Sequence, residues 1–307
     1  VVESDGLPTQ ARLDETFGQP PVTLYHDTEF QIDALFWMQS STDIHGHGFG
    51  GAFLVLDGRS VHTCYEFVES RRLAEDFSLG RLSAVHAELL DVGDIRVIEP
   101  GAALIHSVIH LGHPSVTLVA RTCGQGTPEY AYFFPAIAIE PSNADPQRTR
   151  ILQLIRMLAR AGSDRLARTV ERVLERCDMY TAFMLLRELS RCPGASALVG
   201  PTADMCDRRW PGVGEVFGQA VIADVRHTTA VQLLNRVTDD DHRVVLGAMA
   251  ALDDPRLIRS FLGAAVERDT ERLIGEFVDA VTADGAVTVG RGNPYDHTLL
   301  RPLRPRP

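Results

Sequence analysis

The chain contains no lysine: its thirty basic residues are all arginine. Without an ε-amine there is no Schiff-base nucleophile, so pyridoxal and other imine chemistry is excluded. The bias toward arginine fits a GC-rich bacterial genome. The five cysteines, Cys64, Cys123, Cys177, Cys192 and Cys206, are odd in number and show no Cys-x-x-Cys spacing. That pattern argues against a disulfide scaffold and a structural zinc site, and a reducing cytoplasm is the expected compartment. Basic charge is also short, with a formal net charge of −11. Nucleic acid and anionic membrane surfaces both demand a basic face, so neither is an expected partner. No apolar run is long enough to cross a bilayer, and Val1-Val2-Glu3-Ser4-Asp5 does not read as a signal peptide.

At 307 residues the chain exceeds one typical domain, and two are expected. Its periodicity divides it accordingly. Residues 22–140 hold short runs rich in β-branched and aromatic residues, at 22–25, 34–37, 52–56, 61–67, 95–98, 115–119 and 130–134. Turn residues such as Asp57-Gly58-Arg59 separate several of them, which predicts an antiparallel sandwich or jelly roll. Beyond Pro141 the apolar spacing becomes helical, with helices expected over 148–161, 166–177, 180–192, 213–225, 230–237 and 243–252. A last long helix is expected over 255–281, with Asp254 as N-cap and Pro255 at its first position. The expected fold class is α+β, organised as an arm (1–21), a β-barrel (22–141), an all-α helical domain (142–284) and an extended tail (285–307).

What the barrel half has in abundance is histidine: eight of the eleven lie before residue 114. Two stand one residue apart in Asp43-Ile44-His45-Gly46-His47, and on a strand alternate side chains share a face. A third, His106, follows the glycine turn of Pro100-Gly101. Three imidazoles from two strands form a facial set that leaves coordination positions open for chemistry. The alternative is a barrel that keeps these residues only for packing.

The surrounding residues resemble the cupin superfamily. His-x-His followed by the glycine of Leu56-Asp57-Gly58 is similar to the first cupin motif, and 93–101 leading to His106 approximates the second. The usual first-motif glutamate would fall near Gly51 or Ala52 and is missing, which points to three-histidine thiol dioxygenases of the cysteine dioxygenase type. Leu35-Phe36-Trp37-Met38 ahead of His45, and Pro114-Ser115-Val116-Thr117-Leu118 after His106, extend the likeness, which covers roughly residues 22–140. That family's Ser-x-His-x-Tyr strand would fall on Thr117, Val119 and Arg121, so its histidine and tyrosine are absent. The cysteine of its Cys–Tyr crosslink would fall near Ala52. Its carboxylate-binding arginine has no counterpart ahead of Trp37, where Tyr25 and His26 stand.

The resemblance implies a cupin-like antiparallel β-barrel holding Fe(II) on His45, His47 and His106, with Mn, Ni or Zn as other metals of the same class. It implies a dioxygenase acting on a small polar metabolite and O2. Arg121 is the candidate substrate anchor, because a guanidinium captures carboxylates in a bidentate manner. His62 and Tyr25 complete the candidate catalytic set; His62 shares a strand face with Cys64 and Glu66 and either supports the metal or faces solvent. His110 is a candidate supporting residue or a structural one. The helical half carries no defensible chemistry, and would cover the barrel mouth, form a homodimer surface or bind a partner. Two other classes fit the same residues: a non-catalytic ligand-sensing or partner-binding cupin, and a cupin isomerase or cyclase.

Overall fold

The computed structural model describes residues 21–38, 41–112, 114–123, 126–141 and 145–283, with 6, 8–10, 18 and 303. Most of the expected arm and tail therefore lie outside the described residues. The chain is α+β, an N-terminal antiparallel β-barrel region followed by helices. The strands are β1 (Pro21–His26), β2 (Phe30–Trp37), β3 (Ile44–His47), β4 (Gly51–Asp57), β5 (Ser60–Ala74), β6 (Phe77–Leu90), β7 (Ile95–Ile98), β8 (Gly101–His110), β9 (Ser115–Thr122), β10 (Ala131–Phe133) and β11 (Ile137–Ile139). One sheet runs β1-β2-β9-β4-β7 and the other β10-β11-β6-β5-β8-β3.

The helices are α1 (Pro146–Arg160), α2 (Leu166–Leu174), α3 (Met179–Arg191), α4 (Val199–Arg209), α5 (Val213–Leu234), α6 (Asp240–Ala251), α7 (Pro255–Ala265) and α8 (Thr270–Ala283). Three expectations are corrected. The single helix over 255–281 is two, because Val266 turns extended and Asp269 accepts from the Arg272 amide to start a new helix. The pair over 213–225 and 230–237 is one continuous helix, α5. Helix α4 was not expected at all, its Gly200-Pro201 pair weakening the helical signal. The start of α7 is as expected: the Asp254 carboxylate accepts from the Arg256 amide, and Pro255 occupies the first turn.

Secondary structure changes type near Pro141, yet the compact units divide elsewhere. One comprises Val1–Glu66, Ala84–Glu129 and His227–Pro307; the other comprises Phe67–Ser83 and Tyr130–Arg226. Long strands β5 and β6 and helix α5 pass through both. A boundary drawn at 141 therefore separates periods, not compact bodies.

In the first unit, Val61 of β5, Ile109 of β8 and Leu111 just after it share an apolar core with Val244, Val245, Leu246 and Met249 of α6. Gly247 is what lets α6 lie so close, since a Cβ there would stand 2.8 Å from Val61 and 2.9 Å from Leu111. The Tyr65 hydroxyl, from the same strand β5, donates to the Ala251 carbonyl at 2.8 Å and meets Ser107 Oγ at 2.9 Å. It thus satisfies an orphan carbonyl at the C-terminal end of α6 and ties β5, β8 and α6 together. In the second unit, Phe77, Ile137 and Ile139 pack with Phe183, Leu186 and Phe217.

Tyr65→Phe removes both hydrogen bonds, leaving the buried Ala251 carbonyl without this donor and the Ser107 hydroxyl without this acceptor. It should lower unfolding free energy by about 1–3 kcal/mol, measured by urea denaturation; an unchanged midpoint would show that the Tyr65 hydroxyl does not hold α6 in place.

Candidate metal centre

Strand β3 is short and pairs with β8, His45 opposite His106 and His47 opposite Gly101, with a register shift between them. The intervening Gly46 makes that approach possible: a Cβ would lie 2.7 Å from the Gly101 carbonyl oxygen. Gly101 itself adopts φ +67, a conformation that favours glycine. So the two glycines let the His-x-His strand close on the strand carrying His106. The expected alternation is thereby replaced by a bulged pairing that still brings both rings to one place.

The ligand atoms of His45, His47 and His106 lie within 4.8 Å of one another. His47 Nε2 and His106 Nε2 are 2.8 Å apart. Two nitrogens bound at about 2.1 Å and at right angles on one ion would stand about 3.0 Å apart. A proton closes this contact when no cation is present, and a cation in its place takes both lone pairs. His45 Nδ1 donates to the Asp43 carbonyl at 2.7 Å, so its Nε2 is the bare nitrogen. Burial lowers all three pKa values: His47 to about 3, with help from His45 and Arg121, and His106 well below the usual range, with help from the neighbouring histidines. Three neutral imidazoles facing one point fit a divalent transition metal.

Behind His106 stand a second imidazole and an ion pair. His62, 2% exposed, places Nε2 3.0 Å from His106 Nδ1 and Nδ1 3.0 Å from Glu88 Oε1. Arg96 donates to both Glu88 oxygens, from Nε at 2.7 Å and from a terminal nitrogen. Those bonds hold the Glu88 carboxyl down at about 2. Cys64, paired opposite His106, lies 3.9 Å from His62 Nε2. Burial and the Glu88 charge push its thiol up, so it is not an activated nucleophile.

Arg121 stands near His47, its charge contributing to the lowered imidazole pKa. Its guanidinium lies 5.5 Å from the Phe49 ring, which in turn sits 4.7 Å from His47. The anionic partner expected from a substrate is present within the chain: Asp33, 3.3 Å away. Asp33 is 3% exposed and also accepts from Thr23 Oγ1 and Gln31 Nε2. Thr117 points inward and accepts from Trp37 Nε1 at 2.8 Å. Phe53 stands beside His62 and His106, giving the centre an aromatic wall.

Tyr25 is placed differently. It is 44% exposed, its hydroxyl donates to Asp27 and its ring stacks on Phe30. His110, 1% exposed, stacks on Trp37 and meets Ser60 Oγ at 3.0 Å, a structural setting. Residues that sequence reasoning passed over are Glu88, Arg96, Asp33, Phe49 and Glu129, whose carboxylate accepts from the Gly48 amide at 3.1 Å. Alternation assigns faces within one strand but not the cross-strand partners that bring these groups in.

No family model matches the chain, and no curated relative matches it. Among solved structures it is similar to an RmlC-like cupin from Shewanella frigidimarina, at 11% identity and TM-score 0.24, over 34% of this chain and 75% of that one. It is similar to KdgF from Halomonas sp., at 12% and 0.24, over 33% and 77%. A hydroquinone 1,2-dioxygenase from Sphingomonas sp. TTNP3 matches at 13% and 0.26, over 34% and 65%. These likenesses reach one third of the chain; the metal reading stands on the three imidazoles themselves.

His106→Ala should abolish stoichiometric binding of a divalent metal while leaving the far-ultraviolet circular dichroism unchanged. Equal metal content in variant and wild type would place the ion elsewhere.

Proposed function

We propose that this cupin-like barrel is a mononuclear non-haem iron oxygenase of the dioxygenase type, acting on a small polar, anionic metabolite. The observation that carries the reading is the convergence of three neutral imidazoles, two buried and one half-buried, with no carboxylate among them. Fe(II) on such a set supplies adjacent open positions for substrate and O2, and keeps its full double positive charge to attract an anion.

The chain's own residues do the rest. The Asp43 carbonyl fixes the His45 ring, so its bare Nε2 faces the centre. Phe49 and Phe53 give the site apolar walls that exclude water and strengthen every polar contact inside. Arg121 contacts Asp33 through one terminal nitrogen; a guanidinium carries five N–H donors, and those left over can bind a substrate carboxylate beside His47. Asp33 thereby acts as the holder of the anchor, keeping Arg121 in one orientation before substrate arrives. Tyr25, committed to Asp27 at the surface, has no step in this scheme.

Two measurements test it. Chain purified without oxygen should carry one iron per molecule and consume O2 when offered small carboxylates in an oxygen-electrode screen. Stoichiometric zinc, nickel or manganese without oxygen uptake would contradict the reading and favour an isomerase or cyclase. Arg121→Gln should keep the metal and raise KM roughly 10- to 100-fold, the loss of a charge-assisted hydrogen bond, with kcat little changed. A lowered kcat at constant KM would remove Arg121 from substrate binding.

A further inference from the structure

We infer that Glu88, clamped by Arg96 and acting through His62, fixes the proton of His106 on Nδ1 and so delivers its Nε2 lone pair to the metal centre. The inference rests on the metal reading given above and concerns how one ligand is prepared for it.

The direction of each hydrogen bond follows from the one before. Glu88 takes two donors from Arg96, one to each oxygen. A carboxylate held this way is an acceptor only, so the His62 Nδ1 that lies 3.0 Å from Oε1 must carry a proton. Burial lowers the His62 pKa and favours the neutral ring, so with Nδ1 protonated its Nε2 is bare. That bare nitrogen lies 3.0 Å from His106 Nδ1, which must therefore be the donor. The Cys64 sulfur lies 3.9 Å from the same His62 Nε2, a longer contact than the 3.0 Å one to His106. His106, 3% exposed and neutral, then has a bare Nε2, the atom 2.8 Å from His47 Nε2.

The chain of bonds works against an intrinsic preference. Free neutral imidazole side chains favour the proton on Nε2, the tautomer that blocks this ligand atom. Hydrogen bonding to the other ring nitrogen decides which one is available to a metal. Here the decision is made by a carboxylate on β6 that touches none of the three ligands. His86, on the same strand, is 62% exposed with its Nε2 3.9 Å from the other Glu88 oxygen, and leaves the His62 side of the carboxylate undisturbed.

Glu88 is thus a positioning residue, and its effect can be read without catalysis. In the metal-free full chain labelled with 15N-histidine, His106 Nδ1 should show the shift of a protonated nitrogen and Nε2 that of a bare one. Glu88→Ala should move the His106 proton wholly or partly to Nε2. Glu88→Gln should restore the wild-type pattern, because its amide oxygen can replace Oε1 as acceptor from both His62 and Arg96. Zinc affinity, measured by chelator competition, should fall about 10- to 100-fold in Glu88→Ala and recover in Glu88→Gln. Should Glu88→Ala fail to fold, His62→Phe removes the acceptor of His106 and must give the same two changes.

An unchanged His106 tautomer in Glu88→Ala, or in His62→Phe, overturns the proposal whatever the metal does. A tautomer that shifts while the wild type binds no metal upholds the proton chain and sinks the metal reading instead.

Discussion

Everything in this site depends on bringing three imidazoles to one point, two of them buried and His45 half-buried. Each ring alone is an ordinary buried polar group, needing a hydrogen-bond partner on each nitrogen. Together, with charge driven off by burial, they aim three lone pairs inward and must be satisfied from outside. The Asp43 carbonyl serves His45, and the His62–Glu88–Arg96 series serves His106. The fold supplies the closeness through two glycines: Gly46 on β3 and Gly101 opening β8 leave no room for a side chain where the strands meet.

The positive charge that such a centre would hold is balanced at a distance. Among the described residues, no carboxylate joins the three-histidine group. Asp33 and Glu88 stand behind Arg121 and His62, each committed to an arginine. Fixed charges arranged this way orient neutral ligands and a guanidinium without neutralising the ion they surround. That is the arrangement expected where an anionic substrate is to be the counter-charge.

Much of this was legible in the sequence. The His45/His47 spacing, His106 after a glycine turn, and the change from alternation to helical periodicity near Pro141 are local signals, and local signals survive into the fold. What could not be read was pairing. Glu88 lies 26 residues from His62, on a separate strand, β6. Asp33 meets Arg121 across neighbouring strands β2 and β9, where Gln31 is the register partner of Arg121. Likewise, the expected long helix over 255–281 holds no proline beyond its first residue, and its Gly263 lies within α7, not at the break; the break comes from Val266 turning extended and from the Asp269 cap. The compact units escaped sequence reading altogether, because β5, β6 and α5 each pass through both.

X-ray absorption spectroscopy on the iron-loaded chain tests the central claim most directly. Three imidazole nitrogens at about 2.0–2.2 Å, by analogy with other imidazole–metal bonds, together with the outer-shell scattering of their rings and no sulfur, are the predicted result. A sulfur scatterer near 2.3 Å, bringing Cys64 onto the ion, or fewer than three imidazoles, would contradict the account.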